Sequence, residues 1–145
     1  MIPTEADWGQ LEAGDLDARY ARRMFAGKSF QDAVPMFRAN VLERAEDLHY
    51  MPPVPFRFYM LAFKEYVLSD AVLEDELAAA SAADSFLSLV ESRLREHPGS
   101  ISPIIDELMP AVTFVAQNQD RYGATLEIYG DFRDRMERIN ELRGA

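Results

Sequence analysis

The sequence predicts an all-α fold, an irregular single-domain bundle of about six to eight helices around a central apolar helix. Apolar residues recur with helical spacing along nearly the whole chain, whereas alternating strand patterns and Asn-Gly hairpin turns are missing. The breaks between periodic segments carry N-cap residues, Gly or Pro. One run, at about residues 55–68, is apolar on almost every side, which marks the centre of the bundle.

Three short helices are expected in the first third of the chain. Asp15 is a candidate N-cap for the first helix. Ser29 and Asp32 have the spacing of a capping box for the second helix, which Pro35 is expected to kink or restart. Asn40 repeats the capping pattern for the third helix.

The central helix is expected to follow a rigid connector at residues 51–55, which contains three prolines. Each proline lacks a backbone donor and biases the preceding residue towards extended geometry. Beyond the connector, only Arg57, Lys64 and Glu65 interrupt the apolar run, and on a helical wheel they fall within one narrow sector. A helix with this pattern is buried on most sides.

The segment from residue 70 to residue 83 is acidic and then alanine-rich, and it suits one helix or two short helices. Ser81 and Asp84 mark the expected start of the next helix. The sequence His-Pro-Gly at residues 97–99 predicts where that helix stops.

Two more helices are expected in the last third. Ser102 followed by Pro103 resembles an N-cap with proline at the first helical position. Pro110 is expected to bend this helix. A long amphipathic helix, whose apolar stripe starts at Ile128, completes the chain.

The composition excludes several classes of function. The net charge is −10, which opposes binding to nucleic acid or to an anionic membrane surface. The chain contains no cysteine, so disulfides, thiolate metal sites and cysteine nucleophiles are excluded, and a reducing cytoplasmic location is expected. Its length of 145 residues predicts one domain spanning residues 1–145.

The sequence carries no motif of a catalytic or cofactor site. Glu46 and His49 have the three-residue spacing of a helical metal-binding pair, but a carboxylate-bridged metal bundle needs two such pairs and this chain has one. We therefore interpret His49 as a residue favoured at the C-terminal end of a helix. There is no Gly-x-Ser-x-Gly elbow or glycine-rich phosphate loop, and no catalytic residue, metal or cofactor is predicted.

An acidic stretch is the most distinctive surface feature. Residues 65–92 contain seven carboxylates and no Lys or Arg. A solvated surface kept soluble by like charge explains this pattern, and so does an interface that steers towards a basic partner. The residues chosen for such an interface are Asp70, Glu74, Asp75, Glu76 and Asp84.

Three hypotheses for function follow. The first is a non-enzymatic bacterial protein of an immunity-like or inhibitory type, which masks a basic surface of a partner protein. The second is a homo-oligomeric structural or adaptor module that buries an apolar seam against its own copy. The third is a small-molecule binder or enzyme with an aromatic-lined pocket around His49, Tyr59, Phe63 and Tyr66.

Overall fold

The computed structural model describes residues 1–11 and 14–144, and within those ranges every regular element is helical. Seven helices of nine residues or more form the bundle, which confirms the predicted all-α architecture. The α-helices are α1 (Glu5–Trp8), α2 (Leu16–Phe25), α3 (Phe30–Ala39), α4 (Val41–His49), α5 (Pro53–Leu68), α6 (Glu76–Glu96), α7 (Pro98–Ile101), α8 (Ile105–Gln117), α9 (Leu126–Tyr129) and α10 (Phe132–Gly144). Three 3₁₀ helices span Asp70–Glu74, Ser102–Ile104 and Gln119–Tyr122.

Helix α5 lies at the centre of the bundle, as the sequence predicts. It contacts α1, α3, α4, α6, α7 and α8. Near its middle, the Phe63 ring stacks on Phe37 of α3 with 4.7 Å between ring centroids and meets Phe86 of α6 edge-on at 6.0 Å. All three rings are fully buried, so α5 joins two neighbouring helices through one aromatic cluster.

The polar end of Tyr59 ties α5 to the N-terminal third of the chain. Its hydroxyl donates to the carbonyls of Phe25 and Lys28, which lie 2.7 and 2.8 Å away and share the single proton. Burial raises the pKa of Tyr59 to about 12. Trp8 packs beside the same ring, with 6.2 Å between centroids. The buried Tyr59 hydroxyl therefore has hydrogen-bond partners in the core, because the end of α2 and the turn after it provide two carbonyls.

The proline connector predicted at residues 51–55 is shorter than expected, and Pro35 does not restart α3. Helix α5 begins at Pro53, inside the expected connector, and Pro55 lies in its first turn. The first N–H groups of a helix have no partner within that helix, so proline loses little there. Helix α3 begins with the predicted Ser29–Asp32 capping box and continues across Pro35 to Ala39.

The helix boundary predicted at Ser81 and Asp84 was also wrong. Helix α6 runs without interruption from Glu76 to Glu96, and the N-cap is Asp75, whose carboxylate accepts from two backbone N–H groups of the first turn. Alanine has the highest intrinsic helix propensity, so the alanine-rich segment extends the helix towards its acidic start. The predicted stop is confirmed, because α6 ends immediately before His97.

The C-terminal part differs from the prediction at two places. Gly130, with a φ of +72°, divides the expected long helix into α9 and α10. Ser102 starts a 3₁₀ turn rather than capping α8. Pro110, which is expected to bend α8, lies inside that helix. Within the described ranges, none of the helices combines the length and apolarity needed to cross a membrane.

Truncating the central aromatic cluster should strongly destabilise the protein. Phe63→Ala removes a fully buried ring and leaves a cavity, so we expect it to lower the free energy of unfolding by about 3–5 kcal/mol. Phe114→Ala is the matched control, because that ring is 37% exposed, and its effect should stay below about 1 kcal/mol. Urea unfolding followed by circular dichroism measures both, and equal effects would contradict the central position of α5.

Candidate functional site

An open groove of about 540 Å³ lies where the start of α6 meets the 3₁₀ helix Gln119–Tyr122 and helix α9. Its apolar lining includes Leu73, Leu77, Ile128 and Tyr129. Leu77 is 84% exposed and Ile128 is 75% exposed, although both are large aliphatic side chains. Since they come from two different elements and line one concavity, they form a patch rather than scattered surface residues.

Carboxylates give this groove its charge. Glu76 and Asp120 line it, and neither makes an ion pair with another residue in the described part of the chain. Arg121 also lines it, but its guanidinium pairs with the Asp70 carboxylate at 3.3 Å. The positive charge is thereby offset, and the negative charges of Glu76 and Asp120 remain. We call this concavity the acidic-rimmed groove.

The floor of the acidic-rimmed groove is fixed to the core by Tyr122. Its ring is 1% exposed, and its hydroxyl donates to the carbonyl of Val67 in α5 at 2.9 Å. Burial raises the pKa of this tyrosine, opposed by its hydrogen bond and charge interaction with Arg121. The groove is therefore built on the central helix.

Gln119 holds the outer wall in place. Its amide nitrogen donates to the carbonyls of Ala124 and Gly130 at 2.9 and 2.7 Å, and its amide oxygen accepts from the backbone N–H of Phe132 at 2.9 Å. These bonds bracket α9 and fix the position of Ile128. Neither Gln119 nor the groove is predicted from the sequence, because the pattern places Ile128 on the apolar stripe of one long helix. Gly130 was the signal that this helix breaks.

Three of the predicted interface carboxylates precede α6, and each has a partner within the chain. Asp70 pairs with Arg121, and Glu74 forms an ion pair with Arg38. Asp75 caps α6 through the backbone N–H groups at 3.1 and 3.3 Å. Part of the acidic stretch is therefore used for local structure, although Asp70 remains 99% exposed and Glu74 58% exposed.

The other two predicted carboxylates lie at different places on α6. Glu76 lines the acidic-rimmed groove. Asp84 lies two turns further along, pairs with Arg135 of α10 at 2.6 Å, and lines a separate cleft with His49. The five residues therefore do not form one continuous surface around a single groove, because eight residues separate these two along α6.

The aromatic residues of the predicted pocket are part of the core. Tyr59 and Phe63 are fully buried and Tyr66 is 2% exposed. His49 is exposed at the last residue of α4, where it lines two clefts that do not include these three rings. The aromatic stripe of α5 thus fills space between helices, and the structure does not bring His49 into it.

A smaller cleft of about 180 Å³ contains a buried carboxylate. Asp47 of α4 is 5% exposed, and its Oδ2 pairs with Nε of Arg44 at 2.8 Å. Burial raises the pKa of Asp47 to about 6; Arg44 opposes this rise, and Glu43 and Glu46 add to it. Arg44 also donates to the Tyr20 hydroxyl at 3.3 Å, so the pair ties α4 to α2.

Comparison with known proteins adds no assignment to this geometry. Neither family models, curated protein sequences nor solved structures match the chain. Among the described residues, no group of three or more His, Asp or Glu side chains is arranged to hold a metal ion. The proposed function therefore rests on the shape and charge of the acidic-rimmed groove.

Protonation of Asp47 should make the protein more stable in mild acid. Because the folded-state pKa of about 6 lies above the ordinary value of 3.8, the folded state holds this proton more tightly than the unfolded chain does. Stability from this group therefore falls as pH rises from about 4 to about 6, by on the order of 2 kcal/mol, and then stays level.

Asp47→Asn isolates this contribution. As the pH rises from about 4 to about 6, the unfolding free energy of the wild type should fall relative to that of Asp47→Asn. Urea titrations at several pH values measure both. Glu137→Gln is the control, since Glu137 is an exposed carboxylate of α10 and is not among the groups that act on the pKa of Asp47. A difference that is independent of pH for Asp47→Asn would refute the expectation.

Proposed function

We propose that the protein is a non-enzymatic protein-binding domain whose acidic-rimmed groove receives an amphipathic helix with basic flanks. By binding that helix, the domain masks a basic surface of its partner, in the manner of bacterial immunity-like or inhibitory proteins. The observation that carries this proposal is the combination, in one groove, of exposed Leu77 and Ile128 with the carboxylates of Glu76 and Asp120. The absence of cysteine favours the cytoplasm as its location.

The apolar side chains supply the affinity in this proposal. Removing an exposed Leu or Ile side chain from water stabilises a complex by about 1.5–3 kcal/mol. Leu77 of α6 and Ile128 of α9 line one concavity, and an apolar concavity of this kind can accept the apolar stripe of a helix. Neither side chain contributes to the core, so both are available to a partner.

The carboxylates of the groove determine which kind of partner is preferred. Glu76 and Asp120 favour Lys and Arg beside the apolar stripe, and the net charge of −10 adds a long-range attraction for a basic protein. The same charges oppose the homo-oligomer hypothesis at this groove. A two-fold interface would bring each acidic rim close to its own copy, and like charges repel.

Polar substitution of the groove should weaken binding without unfolding the protein. The probe is a fluorescent Leu/Lys amphipathic helix of about 18 residues, long enough to cross the groove. We expect Leu77→Ser together with Ile128→Ser to weaken its binding by at least about tenfold in fluorescence anisotropy. Leu126→Ser is the matched control, because this side chain is 63% exposed on the same short helix and lines a different cleft. An equal loss in the control would refute the site.

Charge reversal at the rim should act mainly on the association rate. Glu76→Lys with Asp120→Lys should slow association with the same peptide by about tenfold or more at low salt, and the effect should shrink as salt rises. Glu137→Lys with Glu141→Lys changes the net charge equally at exposed positions of α10. Stopped-flow mixing separates the two pairs, and identical slowing would show that only the total charge matters.

A further inference from the structure

We propose that a second groove, at the other end of α6, binds a small organic anion that carries a carboxylate or phosphate on an apolar or aromatic group. This groove has a volume of about 700 Å³, within the range of small-molecule sites. It is lined by both histidines of the chain, His49 and His97, together with Arg93. We call it the basic groove, and its proposed role is independent of the acidic-rimmed groove.

The lining of the basic groove is positively charged, whereas the protein as a whole carries a net negative charge. Among the described residues that line it, none is acidic. Four other clefts of the protein each include at least one Asp or Glu, as a net charge of −10 leads one to expect. A concavity without carboxylates in its lining, in a chain so rich in them, offers an anion a place with less like-charge repulsion than the other clefts.

Arg93 supplies a positive charge that no contacting carboxylate neutralises within the described ranges. Its guanidinium donates to the carbonyls of Leu48, His49 and Met51 at 2.7–3.0 Å and to the Ser100 hydroxyl at 3.2 Å. All of these acceptors are neutral. The exposed Glu96 acts on Arg93 only through the longer-range field, and burial is the main reason that the pKa of Arg93 falls to about 10.

The buried Arg93 is also held rigidly. Its guanidinium lies over the Phe56 ring of α5, 4.0 Å from the centroid, and the residue is 5% exposed. The hydrogen bonds fix the end of α4 against α6 and α7, which form the walls of the basic groove. The positive field therefore comes from a fixed position, so little reorganisation is needed when an anion binds.

The two histidines are the groups that would contact the anion. Both are exposed, and neither imidazole makes a hydrogen bond or ion pair to another described residue; His49 only meets the Tyr50 ring edge-on at 5.0 Å. An imidazole carries at least one N–H donor in either protonation state. Pro52, Pro53 and Tyr50 give the groove an apolar side, which suits a ring or short hydrocarbon attached to the anionic group.

Nuclear magnetic resonance titration of the full chain tests this proposal. The probes are phenyl phosphate, benzoate, inorganic phosphate and the cation benzylamine. We expect saturable shifts of backbone amides at residues 49–52 and 97–100 with the ring-bearing anions, at dissociation constants of about 1 mM or below. Comparing phenyl phosphate with benzoate identifies the preferred anionic group, and comparing it with inorganic phosphate measures the contribution of the ring. Benzylamine should bind at least about tenfold more weakly than either ring-bearing anion.

Two sets of variants locate the binding. His49→Ala with His97→Ala should weaken anion binding by about tenfold or more, whereas Arg133→Ala, in a separate cleft, should leave it unchanged. Gly99→Glu places a carboxylate at a position that lines the groove, and there is open space around a Cβ atom at this position. This variant should abolish anion binding, while Gly99→Gln should retain it.

Three results would overturn the proposal. The first is the absence of saturable binding by all three anions up to about 10 mM, a concentration well above the expected constants. The second is equal binding of benzylamine and benzoate. The third is anion binding that persists unchanged in both the double histidine variant and Gly99→Glu.

Discussion

Burial of the aromatic face of α5 is the constraint on which the rest of the structure depends. The helix touches six other α-helices, and its core rings leave little room for alternative packing. Polar groups are arranged around the same helix: Tyr59 bonds to the turn between α2 and α3, Tyr122 bonds to the carbonyl of Val67, and Arg93 lies over Phe56. The core is closed around α5, and the two grooves that we propose as binding sites lie at the periphery.

Helix α6 organises that periphery into two regions of opposite charge. Its first turn contributes Glu76 and Leu77 to the acidic-rimmed groove, and its last turns contribute Arg93 to the basic groove. Sixteen residues separate Leu77 from Arg93, which corresponds to roughly 24 Å along a helix. A protein helix and a small anion could therefore occupy the two grooves at the same time, without direct contact between the ligands.

The sequence predicted the elements that depend on local patterns. The α5 run, the capping box at Ser29 and the stop at His97 follow from residues close together in the chain. The failures have different causes: proline is tolerated in the first turn of α5, alanine extends α6 towards its acidic start, and Gly130 divides the last helix. Asp84 carries a helix-start signal but pairs with Arg135, 51 residues away. Because such partners lie far apart in the chain, the sequence located the acidic stretch but could not show which carboxylates pair with arginines and which line a groove.

Native-state hydrogen exchange measures the central claim most directly, because it reports the opening free energy of each helix. If the bundle is built around α5, its amides exchange only when the whole protein unfolds, with the free energy obtained from urea denaturation. Amides of the peripheral helix α9 exchange through local opening at a lower free energy. Exchange of α5 amides at a lower free energy than those of α6 or α8 would contradict the account, since the core would then persist without its central helix.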